Sequence, residues 1–290
     1  MNSITSGFRR ASVPAVHPPL DFGRYGRTVA PRLSRRSLLG LGLAPVALAL
    51  ADCSTTRTTT LPKSALPTAL VYRGPASVEG CPEAMAAILR SGPAPFNVVY
   101  CGPDEAVPLS RDALDQAVLY GQPGGGDNLD AAWRSVRSFT PDLKAWVRAG
   151  GRYLGICMGG YLAGSGPGYG LFQGNSDEYI TEPGATVHTT GDALVTVSWR
   201  DTPATIYFQD GPGFSLDPGA DAQVLARYSN GSIAALVAQS GRGRVGVCGP
   251  HPEAERWWYT DAGLTPPDPL PLPLAHDLVA TTISNKPLRA

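Results

Sequence analysis

The chain has 290 residues, 43% of them hydrophobic, with 24 lysines and arginines against 24 aspartates and glutamates. That balance excludes a disordered charged tail and a polybasic nucleic-acid binder, so no nucleic-acid partner is expected. The 34 glycines and 28 prolines imply many turns but follow no repeat period, which excludes a solenoid or a collagen-like array.

The N-terminus differs in character from the rest. Met1 to Arg36 carry seven arginines against one acid, Asp21, and Leu38 to Leu50 is a thirteen-residue apolar run. Such a run is short for a membrane-spanning helix but suits the core of a signal peptide. Ser34-Arg35-Arg36-Ser37-Leu38-Leu39 at the junction resembles a twin-arginine export signal. An ordinary signal with two chance arginines is the competing reading. Residues 1–52 are therefore expected to be a twin-arginine-type signal segment, and the mature protein to be exported across the cytoplasmic membrane. Leu50-Ala51-Asp52-Cys53 resembles a lipoprotein box, with Asp52 where a small residue is expected. A membrane tether through a lipidated Cys53 and plain cleavage after Ala51 both stay open. Residues 53–67 are Thr/Ser-rich, as a linker would be, and a single domain is expected over 68–290.

From Thr68 the pattern alternates between strands and helices. Strands are predicted at Thr68–Tyr72, Asn97–Cys101 and Ala117–Tyr120, with a helix at Pro82–Leu89 whose Met85, Ile88 and Leu89 share a face. The third strand runs into the glycine-rich Gln122-Pro123-Gly124-Gly125-Gly126-Asp127. Helices follow at Leu129–Phe139 and Pro141–Ala149, the second capped by Thr140 with proline at its first position and closed by Gly150-Gly151. A strand at Arg152–Ile156 comes next. This alternation predicts a parallel sheet with helices on both faces.

The middle section is β-like at Val187–His188, Leu194–Trp199, Thr205–Gln209, Val224–Tyr228 and Ile233–Gln239, which predicts a partly antiparallel extension or edge. Asp210-Gly211-Pro212-Gly213-Phe214 is expected to be a turn on the rim. A strand at Arg244–Cys248, a helix near Ala254–Tyr259 and a final helix near His276–Ile283 complete the chain, the last preceded by a proline-rich connector.

Two motifs carry chemistry. Gly155-Ile156-Cys157-Met158-Gly159 follows an apolar strand and has the form of a nucleophile elbow, where glycines leave room for a strained turn. Gly249-Pro250-His251-Pro252-Glu253 follows another strand and places a histidine two residues before a carboxylate. In an open parallel sheet these loops and the glycine-rich loop meet beyond the strands' C-terminal ends. Cys157 is then the candidate nucleophile, His251 the base and Glu253 the acid that orients it. The backbone N–H groups of Met158 and of Gly125 or Gly126 are the candidate oxyanion hole, and Tyr161 and Asp127 the candidate substrate contacts. No Cys/His spacing suggests a metal, no cofactor is implied, and His188 and His276 are expected to be ordinary surface or core residues. Cys81 and Cys101 lie near the same sheet edge; a disulfide between them and two free thiols are both open, while Cys248 is expected to be packed.

These segments resemble a known family. The two motifs are similar to those of the class I glutamine amidotransferase fold. More narrowly, Val71-Tyr72-Arg73-Gly74-Pro75, Gln122 to Asp127, Gly150 to Tyr161 and Gly249 to Glu253 resemble the domain at the N-terminus of eukaryotic biotin–protein ligases. The resemblance implies a flavodoxin-like α/β three-layer sandwich with a mostly parallel sheet and a β-rich insertion or edge. It carries the nucleophile onto Cys157, the base onto His251 and the acid onto Glu253, in a domain expected to stand without a ligase domain. One departure is Tyr161, where the amidotransferases usually have a glutamine that helps hold the substrate.

The expected function is a thiol-dependent hydrolase of a small-molecule amide. The alternatives are a non-catalytic or regulatory module that binds a small molecule, and a thiol protein of the deglycase and stress-protein group. The last usually takes an acid from an early strand, and Thr68–Tyr72 offers none. Nothing in the sequence sets the oligomeric state.

Overall fold

A computed structural model describes residues 60–288. The expected signal segment, Cys53 and the first part of the linker lie outside the described residues. In chain order the elements are β1 (Thr68–Tyr72), α1 (Cys81–Ser91), β2 (Asn97–Cys101), α2 (Arg111–Leu114), β3 (Leu119–Gln122), α3 (Leu129–Val136), α4 (Thr140–Arg148), β4 (Arg152–Ile156) and α5 (Met158–Ala163). They continue with β5 (Gly174–Glu178), β6 (Ala193–Trp199), β7 (Thr202–Phe208), β8 (Pro212–Leu216), β9 (Ala222–Tyr228), β10 (Ile233–Ser240), β11 (Gly243–Cys248), α6 (Arg256–Asp261) and α7 (Leu272–Ile283).

One 11-stranded sheet runs β2-β1-β3-β4-β11-β10-β9-β6-β7, with β8 pairing with β10 and β5. The half from β2 to β11 is parallel, and β10 begins the antiparallel half. Side chains of the parallel strands alternate between two apolar layers, as the two-residue period of a strand requires. Leu70, Tyr72, Tyr120 and Tyr153 face a layer with Val136 of α3, Leu143 and Val147 of α4 and Leu162 of α5. Ala69, Val71, Leu119 and Leu154 face the other, with Met85 and Ile88 of α1 and Leu278 of α7. The result is an α/β three-layer sandwich with helices on both faces of the sheet. No helix among the described residues is long and apolar enough to cross a membrane.

Several boundaries differ from the sequence reading. The third strand starts at Leu119, not Ala117, and runs on to Gln122, because its register with β4 continues through Gly121 and Gln122. The buried Gln122 amide is satisfied there: Tyr120 donates to its Oε1 at 2.7 Å and its Nε2 donates to Ala76 O at 3.1 Å. Thr140 does not cap the following helix; it is the first helical residue, and its Oγ1 is buried without a partner among the described residues. Val187–His188 is not a strand among the described elements. Most of the expected turn after Asp210 is instead β8, paired in antiparallel register with β5. Neither β5 (GNSDE) nor β8 (PGFSL) has strand composition; each is a strand because the other supplies its ladder, a tertiary effect that outweighs propensity.

Candidate active site

β4 ends at Ile156, and Cys157 turns the chain sharply into α5 with φ 52° and ψ −109°. That left-handed backbone is costly for a side chain with a Cβ and persists only where its surroundings impose it. The surroundings are specific. Cys157 N donates to Cys248 O at 2.9 Å, while Gly160 N and Tyr161 N donate to Cys157 O at 2.8 and 3.0 Å. Tyr153 donates its hydroxyl to Gly159 O at 2.7 Å, pinning the underside of the elbow.

β11 ends at Cys248, beside β4, and its loop delivers His251 to the same edge. His251 N donates to Tyr207 O at 2.8 Å, and the imidazole lies against the rings of Tyr207 and Trp258, with centroids 5.9 and 5.3 Å away. Its Nδ1 sits 2.9 Å from Glu253 Oε1. His251 is 2% exposed and Glu253 1%, so this is an ion pair withdrawn from water. Burial alone would drive the imidazole towards its neutral form. The charges of Glu253 and then Cys157 outweigh it and hold the His251 pKa up at about 10.

The thiol itself makes its regular polar contact with Gln209 O, at 3.6 Å. Cys157 also bears on His251, both through charge and through a side-chain hydrogen bond, and each holds the imidazole's pKa up.

The glycine-rich loop closes over this pair. A Cβ on Gly124 would come within 2.8 Å of His251 Cε1 and 2.9 Å of Cys81 Sγ, and one on Gly125 within 2.7 Å of Met158 Cγ. The loop can approach only as bare backbone. The N–H groups of Gly125 and Gly126 take no hydrogen-bond partner among the described residues. Met158 opens α5, where an N–H has no partner inside the helix. Asp127 is exposed at the rim. The sequence-predicted Cys157, His251, Glu253, Gly125, Gly126, Met158, Tyr161 and Asp127 are thus gathered at one sheet edge. His188 and His276 lie apart from it, bonded to Ile180 O and Ser91 Oγ.

Sequence reasoning gave no part in the site to four neighbours. Tyr207 and Trp258 wall the imidazole, and no local pattern marks them. Cys81 packs beside His251 and Gly124, and burial followed by the Glu253 charge pushes its thiol well up. Cys101 sits in a different apolar cluster, and both thiols are free, so the open disulfide alternative is not formed. The fourth is Asp210, expected only as part of a turn on the rim. Its φ is 46°, and its Oδ1 is buried without a partner among the described residues.

Burial, then the charges of Glu178 and Asp127, push the Asp210 carboxyl from 3.8 up to about 6. A carboxyl raised on folding favours the folded state below its unfolded value, and that contribution is lost as pH rises through about 6. Asp210→Asn should therefore raise the thermal midpoint at pH 8 and leave it nearly unchanged at pH 4. Thermal scans showing equal shifts at both pH values would refute the strain assigned to this carboxylate.

Fold and site together define an α/β domain with a cysteine elbow and a buried histidine–carboxylate pair. Residues 68–169 match the family described as "Biotin-protein ligase, N terminal". The imidazole glycerol phosphate synthase subunit HisH of Synechococcus sp. (strain CC9902) is 30% identical over 162 residues, which cover 50% of this chain and 72% of that protein. Subunit HisH 2 of Prochlorococcus marinus (strain MIT 9313) is 29% identical over 126 residues, covering 39% of this chain; the match spans 58% of that relative's length. Among solved structures, PurLQS from Thermotoga maritima is 19% identical with a TM-score of 0.49, covering 75% of this chain and 97% of that one. The chain belongs to the class I glutamine amidotransferase-like superfamily.

Proposed function

We propose that this protein is an exported cysteine hydrolase that cleaves a small amide through Cys157, His251 and Glu253; export rests on the N-terminal signal alone. The supporting observation is the buried His251–Glu253 pair, 2.9 Å apart and charge-coupled to a thiol held at a strained elbow. In this reading the thiol proton already rests on His251, whose pKa is held up at about 10, when Sγ attacks the amide carbonyl, and His251 passes it to the departing amine. The N–H groups of Met158 and of Gly125 or Gly126 face the carbonyl oxygen as it becomes anionic, where each lost donor typically costs about 3 kcal/mol. Water then hydrolyses the thioester, with His251, neutral once the amine has left, as base. Glu253 keeps the proton on Nδ1 and stabilises the imidazolium.

The test uses the full chain, iodoacetamide and a panel of small primary and secondary amides, γ-glutamyl amides included. Cys157 should be alkylated at least about tenfold faster than the same cysteine in denatured protein, as a thiolate-favouring site requires. Cys157→Ser should abolish any amide turnover. A native Cys157 slower than the denatured control would remove the nucleophile. One observation favours a second reading: Tyr161 stands where a glutamine would hold the substrate. A reactive Cys157 that a ligand protects, with no turnover across the panel, would make this a binding module.

A further inference from the structure

We propose that the edge formed by the N-terminal ends of the parallel strands, opposite Cys157, docks the domain on the phosphate headgroups of an anionic lipid bilayer. The inference is independent of the chemistry proposed for Cys157; from the export reading it takes only the presence of a membrane.

Residues 60–288 hold 22 aspartates and glutamates against 15 lysines and arginines, an excess that repels an anionic surface. This edge has the reverse character. Arg148 ends α4, Arg152 opens β4, and Arg242 and Arg244 flank the start of β11, the parallel neighbour of β4. Hydrogen bonds knit them together. Arg242 N donates to Arg148 O at 2.9 Å, Arg242 Nη2 to Ala149 O at 3.1 Å and Arg152 Nη1 to Arg242 O at 3.3 Å. These acceptors are carbonyls, which take a hydrogen bond without bringing a negative charge. Asp115 pairs with Arg111 at 2.8 Å, but no salt bridge among the described residues reaches Arg148, Arg152 or Arg242. Burial, then the charge of Arg244, lowers the Arg152 pKa, as a cation without a counter-ion requires.

A cluster of cations suits any polyanion; the apolar surface beside it selects a bilayer. Arg111 and Arg152 share a cavity of 570 Å³ with Phe96, Val118 and Trp146. Val118 is 47% exposed and Leu66 44%, and Val118 N donates to Thr68 O at 3.0 Å, which places both side chains at this edge. Exposed aliphatic groups beside guanidinium groups combine the two attractions that hold a protein at a membrane interface. The chain also enters the fold here, since Leu61 N donates to Gln116 Oε1 at 3.0 Å and Pro67 lines the cavity. A lipid on Cys53 would keep this edge within about 28 Å of the bilayer, the reach of the extended residues up to Leu61. The length of β4, about 16 Å, separates Arg152 from Cys157, so a domain seated this way turns its candidate active site to the aqueous phase.

The test footprints the full chain on vesicles of phosphatidylcholine alone and of phosphatidylcholine mixed equally with phosphatidylglycerol. Phenylglyoxal modifies accessible arginines, and mass spectrometry reads each one. Arg148 and Arg242 should react about fivefold more slowly on the anionic vesicles than on the neutral ones, the scale of one arginine's attraction to such a surface. Arg73 and Arg256, which follow the opposite strand ends, should react alike on both. Arg148→Gln combined with Arg242→Gln should weaken binding to the anionic vesicles by about 25-fold, fivefold for each charge, and leave Cys157 alkylation unchanged. The wild-type footprint decides even if that variant fails to fold. Protection confined to the arginines of Met1 to Arg36, with Arg148 and Arg242 reacting equally on both vesicles, overturns the proposal. Duplex DNA that protects Arg148 and Arg242 better than the anionic vesicles, at equal phosphate concentration, overturns a lipid as the partner. None of these outcomes bears on Cys157, whose alkylation tests the hydrolase separately.

Discussion

Glu253→Gln is expected to lower turnover by about 10³–10⁴-fold, the scale on which loss of an orienting carboxylate disables a nucleophile–histidine pair. The argument starts from Glu253 itself, which is 1% exposed and bonded through Oε1 to His251 Nδ1 at 2.9 Å. A carboxylate can only accept, so it places the ring proton on Nδ1 and leaves Nε2 for the thiol. A glutamine amide can instead donate to Nδ1, which puts the proton on the wrong nitrogen. The charge matters as much as the tautomer. Burial is the largest single influence on His251 and favours the neutral ring; Glu253 is the largest influence opposing it. Without that charge the imidazole should titrate well below its present value of about 10. NMR of the ring across the pH range would show the drop, and iodoacetamide at pH 7 would show a slower Cys157. A ring that still titrates near 10 would mean that Glu253 does not hold the imidazolium, and the proposed division of labour would fall with it.

The same substitution should change how stability depends on pH. A histidine raised on folding contributes stability that is full below its unfolded value near 6.5 and is lost as pH rises through about 10. Wild type should therefore lose stability across that window, and Glu253→Gln should show a flatter curve.

Three of the site's residues were legible because each is tied to a strand end by a short, fixed spacing. Cys157 follows β4 directly, and His251 and Glu253 follow β11 within five residues, so knowing that β4 and β11 are parallel neighbours brings them together. The glycine-rich loop was legible for the same reason, since it continues β3. Asp210 was not. Its significance lies in an unpaired lone pair, a positive φ and the charges of Asp127 and Glu178, which come from other segments of the chain. A sequence window around it shows only Asp-Gly-Pro, the signature of a turn.

The parallel half of the sheet was readable because its strands are buried on both faces and appear as short apolar runs. The antiparallel half was readable where strands alternate, as in β6, where Val195, Val197 and Trp199 are buried and Thr196 and Ser198 between them are exposed. β5 and β8 escaped because their residues are polar, glycine or proline, and their pairing is decided by neighbours far along the chain. Local composition cannot carry that information.

Gly159→Ala is expected to destabilise the domain by about 3 kcal/mol or more, the upper end of what overpacking a close-packed site costs. A Cβ on Gly159 would lie 1.9 Å from Gln122 O and 2.8 Å from Gln122 C. The obstruction is backbone of a central strand, whose side chain is itself held by Tyr120 and Ala76. It cannot swing aside as a flexible side chain would. Retreat in the other direction is closed too, since Gly155 already lies so near that a Cβ there would be 2.3 Å from Gly159 O. The helix can accommodate the methyl only by lifting off β3, which breaks the Tyr153–Gly159 bond and unseats Cys157. At this domain size the loss corresponds to a fall of roughly 6–12 °C in thermal midpoint. Gly126→Ala is the control, because its Cβ would meet only Val78 Cγ1, at 3.9 Å, and its φ is not in the left-handed region. That variant should stay within about 0.5 kcal/mol of wild type, as a surface substitution does. Denaturant melts in which both variants behave alike would show that the elbow helix is not clamped against β3, and that the strain at Cys157 is held by something else.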